Sequence, residues 1–414
     1  MSGALPEAGT PWEALADQLA EARNQDADWR GGRVPLYVHF AGDDVLEVAK
    51  RAYEMYFSEN GLGPRAFKSL ARMEREVVDI GLALMRAPAG ACGAMTTGGT
   101  ESIFLAVKAA REYRVSVRGG LRGTPRLVVP RSAHPAFDKA AFFMGIDVVR
   151  TPLMNDFRAD PDAIAAAIDE NTIMVVASAP AFPHGVVDPV TEIAGNAARH
   201  GVWCHVDACV GGYFAPFAAQ LGVALPAWDL SVPGVCTISA DLHKYGYTAK
   251  GASTLFFRDE ATFSKMGWAF DDWPRGRYFT NTLVGTRPGG AIAAAWAVLR
   301  YLGASGYRRI AQRVLDTRRA LQSGVVRQGF QVFGDPPLSI ISYGGDTYDL
   351  EGITGELEAR GWLVARTQQP NGFHHMLNLS HEPVIGQYLD DLASAIAGAR
   401  SSTPQPPRAG SASY

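Results

Sequence analysis

Between residues 92 and 257 the chain carries seven short apolar runs, most of them separated by segments of helical length. They are Cys92–Thr96, Arg126–Val129, Asp147–Arg150, Ile173–Ser178, Val202–Val206, Val235–Ser239 and Ser253–Phe257. Most are continuous and rich in Val and Ile. A half-solvated strand alternates apolar and polar residues, because successive side chains point to opposite faces. A continuous run is what a strand buried on both faces requires. Runs of this kind between helices predict an α/β fold, a mainly parallel sheet with flanking helices.

The same pattern divides the chain. Residues 1–60 read as an N-terminal arm with one or two helices, 61–290 as a large domain and 291–400 as a smaller C-terminal α+β domain. The Ser/Pro/Gly-rich segment 401–414 reads as a disordered tail. In Leu62–Arg86, residues Phe67, Leu70, Met73, Val77, Ile80 and Leu84 recur at helical spacing. After Gly289 a helix over Ala291–Leu302 is expected, then helices near Ile310–Arg327, Leu350–Arg360 and Val384–Ala397. Strands are expected near Leu338–Tyr343 and His374–Leu379.

Composition narrows the functional classes. Lys and Arg total 39 against 42 Asp and Glu, a formal charge of −3, which removes the electrostatic case for a nucleic-acid or anionic-membrane binder. Cys92, Cys204, Cys209 and Cys236 form no C-x-x-C pair, are too few for a secreted disulfide framework and do not complete a zinc set. No metal is expected. Met1–Gln25 lacks a basic patch ahead of an apolar core, so no signal peptide is read there. The longest apolar run, Gly289–Leu299, is too short to span a bilayer. A cytoplasmic location is the expectation.

Three strings carry chemistry. Met95-Thr96-Thr97-Gly98-Gly99-Thr100-Glu101-Ser102 lies between a strand and a helix. Glycines let the backbone turn and approach a ligand, and the helix start offers unpaired N–H groups to a phosphate, with Thr100 a candidate N-cap. A plain capped turn would leave the same string. It is neither a Walker loop nor G-x-G-x-x-G, so ATP and NAD are not favoured. In His205-Val206-Asp207-Ala208 an acid ends a buried run, where a lone carboxylate is costly and a cationic ring nitrogen would pair with it. A strand-end cap is the plainer alternative. In Ser239-Ala240-Asp241-Leu242-His243-Lys244-Tyr245-Gly246 a lysine follows another buried run. Held near cations, its amine pKa would fall and it could form an imine with a carbonyl. An exposed loop lysine is the commoner fate. Together the three supply a phosphate cradle, a carboxylate for a ring nitrogen and an imine-forming amine, the parts needed to hold pyridoxal 5′-phosphate.

The strings ACGAMTTGGTESI (91–103), HPAFDKA (134–140), FPHGVVDP (182–189), HVDACVGG (205–212), SADLHKYGYTAKG (239–251) and GTRPG (285–289) make the resemblance specific. The chain resembles the fold-type-I pyridoxal-phosphate enzymes of the group II decarboxylase family, and within it the sphingosine-1-phosphate lyases. The likeness runs from about Tyr37 to Ala397. It implies that 61–290 is the cofactor-binding domain, that Lys244 is joined to the cofactor and that Asp207 keeps the pyridine nitrogen protonated. It also implies that His134 stacks on one ring face and Ala208 packs on the other. Gly98, Gly99 and Thr100 would hold the phosphate, helped by His243. Gly285 and Thr286 match a loop that reaches the cofactor phosphate across a homodimer interface with shared active sites. An ordinary turn ahead of the long helix would also place them there.

The implied activity is carbon–carbon (aldehyde) lyase chemistry on a phosphorylated long-chain base or related β-hydroxy amine, by retro-aldol cleavage. Lys250 and Tyr247 are candidates for proton transfer and substrate-phosphate contact, with Lys244 an alternative base. Tyr37, Arg65 and His184 are candidate substrate residues. His134, His184 and His205 each have a plainer reading as hydrogen-bonded structural histidines. One departure stands out: the family has a substrate-phosphate histidine where this chain has Gly63, and Arg65 or Lys68 would have to replace it. An amino-acid decarboxylase, for which Arg65 would suit a substrate carboxylate, is the alternative activity. A cofactor-binding protein without catalysis is the third reading.

Overall fold

In the computed structural model, the residues described are 3, 5–117, 120 and 122–401. The expected tail lies outside them apart from Ser401. The arm holds α1 (Trp12–Arg23) and α2 (Asp43–Met55), and α3 (Lys68–Leu84) follows. α3 starts later than Leu62 because Gly61, Gly63 and Pro64 lead instead into a turn, in which the Ala66 and Phe67 amides donate to the Gly63 carbonyl.

Then β1 (Cys92–Thr96), α4 (Gly99–Val117), β2 (Arg126–Pro130), α5 (Ala136–Met144), β3 (Asp147–Thr151) and α6 (Pro161–Ala167) alternate. They continue with β4 (Thr172–Ser178), α7 (Val190–His200), β5 (Trp203–Asp207), α8 (Ala215–Gln220), β6 (Val235–Ala240) and β7 (Ser253–Phe257). All seven expected strands are present, within a residue or two of the expected ends. They form one sheet in the order β1-β7-β6-β5-β4-β2-β3. It is mainly parallel as expected, except that β7 runs antiparallel to both neighbours.

Two apolar layers explain the continuous runs. Leu127, Val129, Met174, Val176 and Trp203 face one side with Val107 of α4 and Phe137 of α5. The intervening Val128, Val175, Ala177, Cys204 and Val206 face the other with Ile193 and Ala194 of α7. Every residue of β4 and β5 is therefore buried.

Beyond the sheet come α9 (Glu260–Phe263) and a hairpin, β8 (Trp268–Phe270) with β9 (Tyr278–Thr280). The helices expected at 291–302 and 310–327 are one element, α10 (Gly289–Arg327), broken at Gly303, whose φ is 53°. A second sheet of order β10-β11-β13-β12 follows, antiparallel throughout. Its strands are β10 (Gln331–Val332), β11 (Ile340–Gly344), β12 (Arg366–Gln368) and β13 (Asn371–Met376), with α11 (Leu350–Ala359) and α12 (Ile385–Ser401). The hairpin, β10 and β12 were not expected; they are two or three residues long, too short to show a period. Among the described residues no helix is long and apolar enough to cross a membrane.

Candidate active site

The C-terminal ends of β1, β2, β5 and β6 open on one cluster, as ligand sites of open α/β sheets do. β6 delivers Asp241, His243 and Lys244. Lys244 Nζ lies 3.0 Å from Asp241 Oδ2, and His243 Nε2 lies 3.6 Å from the same oxygen. Asp241 is 2% exposed. The turn is braced from outside: Tyr245 Oη donates to the Leu377 carbonyl at 2.7 Å and Tyr307 Oη to the Gly246 carbonyl at 2.9 Å.

The electrostatics correct one expectation. Burial alone would lower the Lys244 pKa, but Asp241, with Cys209 and Asp207 behind it, overrides burial and raises it. Anionic groups dominate the field at this amine. Burial likewise works against the Asp241 carboxylate, yet the Lys244 charge and the His243 contacts hold it well below the usual range.

β5 ends in Asp207, whose Oδ1 accepts the Cys209 N–H at 3.0 Å and faces Ser239 Oγ at 3.4 Å. Ala208 is fully buried beside it, its N–H donating to the Ser239 carbonyl at 2.9 Å. β2 leads to His134, whose Nδ1 accepts the Ala136 N–H at 3.1 Å. Burial lowers the His134 pKa more than the nearby Asp207 raises it, which keeps the ring neutral at pH 7. His205 is a structural histidine: its Nδ1 and Nε2 meet Thr237 Oγ1 and Ser239 Oγ.

β1 turns through Thr97 and Gly98 into α4. The Ser102 N–H already donates to the Gly98 carbonyl at 3.0 Å, so Gly98 precedes the helix and Thr100 lies in its first turn rather than capping it. A Cβ on Gly99 would stand 2.7 Å from Cys209 Sγ and 2.9 Å from Asp241 Oδ2, a position only glycine fits. Above Gly98, by contrast, the nearest atom to such a Cβ is His243 Cε1 at 3.5 Å. Among the described residues, His243 Nδ1 and Asp241 Oδ1 are buried without a hydrogen-bond partner. A glycine-lined turn at a helix start, unpaired polar atoms, an amine and a carboxylate fit the phosphate, aldehyde and ring of pyridoxal phosphate.

The remaining candidates divide. Lys250 and Tyr37 come together: Lys250 Nζ donates to the Tyr37 carbonyl at 3.1 Å and to the His243 carbonyl at 3.3 Å. Burial, and then the Lys244 charge, lower the Lys250 pKa. Tyr247 turns away. Its ring sits in a buried aromatic group with Tyr245 and Tyr307, its hydroxyl has no hydrogen-bond partner among the described residues, and burial pushes its pKa up. His184 stacks on Phe157 at 4.7 Å with Nε2 3.2 Å from the Gln369 carbonyl, contacts that tie β4 to the second sheet. Among the described residues nothing links it to Lys244. Arg65 is exposed on the turn after Gly63.

Gly285 and Thr286 lie in the loop between β9 and α10. The Gly61 N–H donates to the Arg287 carbonyl at 2.9 Å, so this loop and the Gly63 turn lie side by side. Glu101 holds the loop by the Leu283 N–H at 2.8 Å. Asp241 and Glu101 were not singled out from the sequence. For Asp241 the signal was an acid three positions before the lysine; for Glu101 only the string position was available. Among the described residues no three His, Cys, Asp or Glu side chains group as a metal site.

Residues 60–343 match the pyridoxal-dependent decarboxylase conserved domain. The chain is 38% identical over 402 residues to sphingosine-1-phosphate lyase of Arabidopsis thaliana, covering 95% of this chain and 73% of that one. It is 36% identical over 396 residues to sphingosine-1-phosphate lyase 1 of Mus musculus, covering 95% and 69%. The solved structure of a Burkholderia pseudomallei sphingosine-1-phosphate lyase superposes with a TM-score of 0.92 at 35% identity, covering 97% of this chain and 94% of that one. Glutamate decarboxylase of Lactobacillus brevis shares the fold, with a TM-score of 0.84 at 19% identity.

Proposed function

The chain belongs to the sphingosine-1-phosphate lyase family of pyridoxal-dependent decarboxylases, and on that premise we propose that it cleaves a phosphorylated long-chain β-hydroxy amine to an aldehyde and a smaller amine. The single observation that carries this reading is the Lys244–Asp241 pair at the end of β6, with Asp207 beside it on β5 and the Gly98–Gly99 turn opposite.

Bound pyridoxal phosphate supplies an electron sink for the pair released when the Cα–Cβ bond breaks. In this reading Lys244 would hold the cofactor aldehyde, and Asp207 would keep a proton on the ring nitrogen. His134 and Ala208 would pack against the ring. Gly98, Gly99, Thr100 and His243 would hold the phosphate. Lys250, held by the Tyr37 and His243 carbonyls, would take the proton of the substrate β-hydroxyl; the aldehyde would leave, and Lys244 would return a proton to Cα. Asp241 keeps the free Lys244 amine charged, ready for that last step. The Tyr37 carbonyl fixes Lys250, and Arg65 offers a guanidinium to the substrate phosphate.

A homodimer is part of the proposal. Trp268, Phe270, Phe279 and Leu283, each at least 44% exposed, line the hairpin and loop that lead to Gly285 and Thr286, and a second subunit would cover them. The four free cysteines suit the reducing cytoplasm. The test is product analysis by mass spectrometry with phosphorylated sphingoid bases beside a panel of amino acids. A long-chain aldehyde and a phosphorylated amine support the reading. Carbon dioxide and amines from amino acids would replace it with decarboxylation, the activity for which Arg65 suits a carboxylate.

A further inference from the structure

Glu101 is 6% exposed in the first turn of α4, and among the described residues it has no ion-pair partner. Its charge is met by hydrogen bonds and by the helix start. The two carboxylate oxygens serve different segments. Oε2 accepts the backbone N–H and the hydroxyl of Thr97, both at 2.6 Å. Oε1 accepts the N–H of Leu283 at 2.8 Å and faces that of Val284 at 3.4 Å.

A glutamate early in a helix that reaches back to a preceding N–H is ordinary capping. That accounts for Oε2 and leaves Oε1 unexplained, because its donors lie 182 positions away in the loop that carries Gly285 and Thr286. Within the chain, apolar burial holds little of this stretch: Leu283 is 61% and Val284 38% exposed. The Glu101 carboxylate fastens the two amides there, beside the Thr282 hydroxyl on the Val284 carbonyl.

We infer that Glu101 is a positioning residue that couples the loop at 283–286 to occupancy of the phosphate cradle. A phosphate bound by the turn at Gly98–Thr100 fixes Thr97, the residue before it. Fixed Thr97 donors fix Oε2, and a carboxylate fixed at one oxygen presents the other to the Leu283 and Val284 amides in one geometry. Coupling of this kind is reciprocal, so an ordered loop tightens the cradle in return. A glutamine in place of Glu101 cannot serve both sides, because one of its ends donates and would face N–H groups. The inference rests on the cradle reading above.

The experiment is hydrogen–deuterium exchange of the peptide spanning 281–288, with and without pyridoxal phosphate, alongside absorbance titration of the cofactor. In the wild-type protein the loop amides slow on cofactor addition. In Glu101→Gln the cofactor still binds, with a Kd raised about five- to a hundredfold, and the slowing at the Leu283 and Val284 amides is lost. Thr97→Val removes one Oε2 donor while leaving Glu101 in place, and gives a partial loss of slowing. Equal slowing in wild type and Glu101→Gln would overturn the inference. So would a wild-type loop that ignores a cofactor whose absorbance shows it bound. A wild-type protein that binds no cofactor would overturn the cradle reading and the inference with it, an outcome the absorbance arm distinguishes.

Discussion

The strand-end cluster and the loops beside it hold their functional groups by different means. Asp207 and Asp241 stand at the ends of fully or nearly fully buried strands, at 9% and 2% exposure, and the Lys244 turn is clamped by two buried tyrosines. Tyr37 is 51% exposed with a φ of 68°, Arg65 is exposed on a turn, and Lys250 is held by two carbonyls. Groups on sheet strands are held more precisely than groups on loops, and the groups that serve the cofactor stand at strand ends. Loops tolerate substitution, and Gly63, where the resemblance implies a histidine, falls on a loop. The cofactor is served by the sheet, and the substrate by what surrounds it.

The sharpest way to break that division is Asp207→Asn. If the strand-end acid keeps the cofactor ring protonated, kcat falls by about a thousandfold or more while the cofactor stays attached, as read by steady-state turnover and absorbance. A loss below tenfold would move the chemistry elsewhere.

Asp241→Asn comes next. It leaves the Lys244 charge without its partner and costs the cofactor-free protein about 3 kcal/mol in urea unfolding at pH 7. The sign of its pH dependence follows from the two shifts. Asp241 is depressed below its ordinary 3.8, so its contribution is present above that pH and is lost as pH falls through the lower folded value. Lys244 is raised above 10.5, so its contribution is present below that pH and is lost as pH rises through the higher folded value. The difference between wild type and variant is therefore level from about pH 5 to 9 and shrinks on the acid side below about pH 4. A difference that grows with acid would refute the pairing.

Lys250→Gln tests the loop side. With a phosphorylated amine, kcat falls about a hundredfold, while the cofactor Kd and the absorbance band are unchanged. Loss of cofactor would put Lys250 with the strand-end group instead. The smallest effect is a gain. A Cβ at Gly63 meets nothing nearer than 3.8 Å and the site has no positive φ, so a side chain can start there without backbone strain. Gly63→His lowers KM for phosphorylated substrates about two- to tenfold, measured against the same amines without phosphate. Equal effects on both substrates would separate the Gly63 turn from phosphate recognition.

Legibility in the sequence followed the same division. The seven main strands and the roles suggested for Asp207, Lys244 and Gly99 rest on local signals: a continuous apolar run, then a chemical group at its end. Asp241 lay inside a quoted string, but its effect on Lys244 has the opposite sign to the expected one, because which charge faces an amine is decided in three dimensions. Tyr247 shows the same limit, since its turn into the aromatic group with Tyr307 depends on a helix that begins at residue 289. Glu101 had no local signal for its second partner. Thr100 was displaced from the cap because Gly98, which needs no side chain there, already closes the first helical bond.

The central claim is that Lys244 is the residue covalently joined to pyridoxal phosphate. Borohydride reduction of the protein incubated with pyridoxal phosphate, followed by peptide mass spectrometry, reads this directly. The account predicts a single stoichiometric pyridoxyl adduct on the peptide containing Lys244, absent from Lys244→Ala. An adduct on Lys250 or another lysine, or none above background, would contradict it.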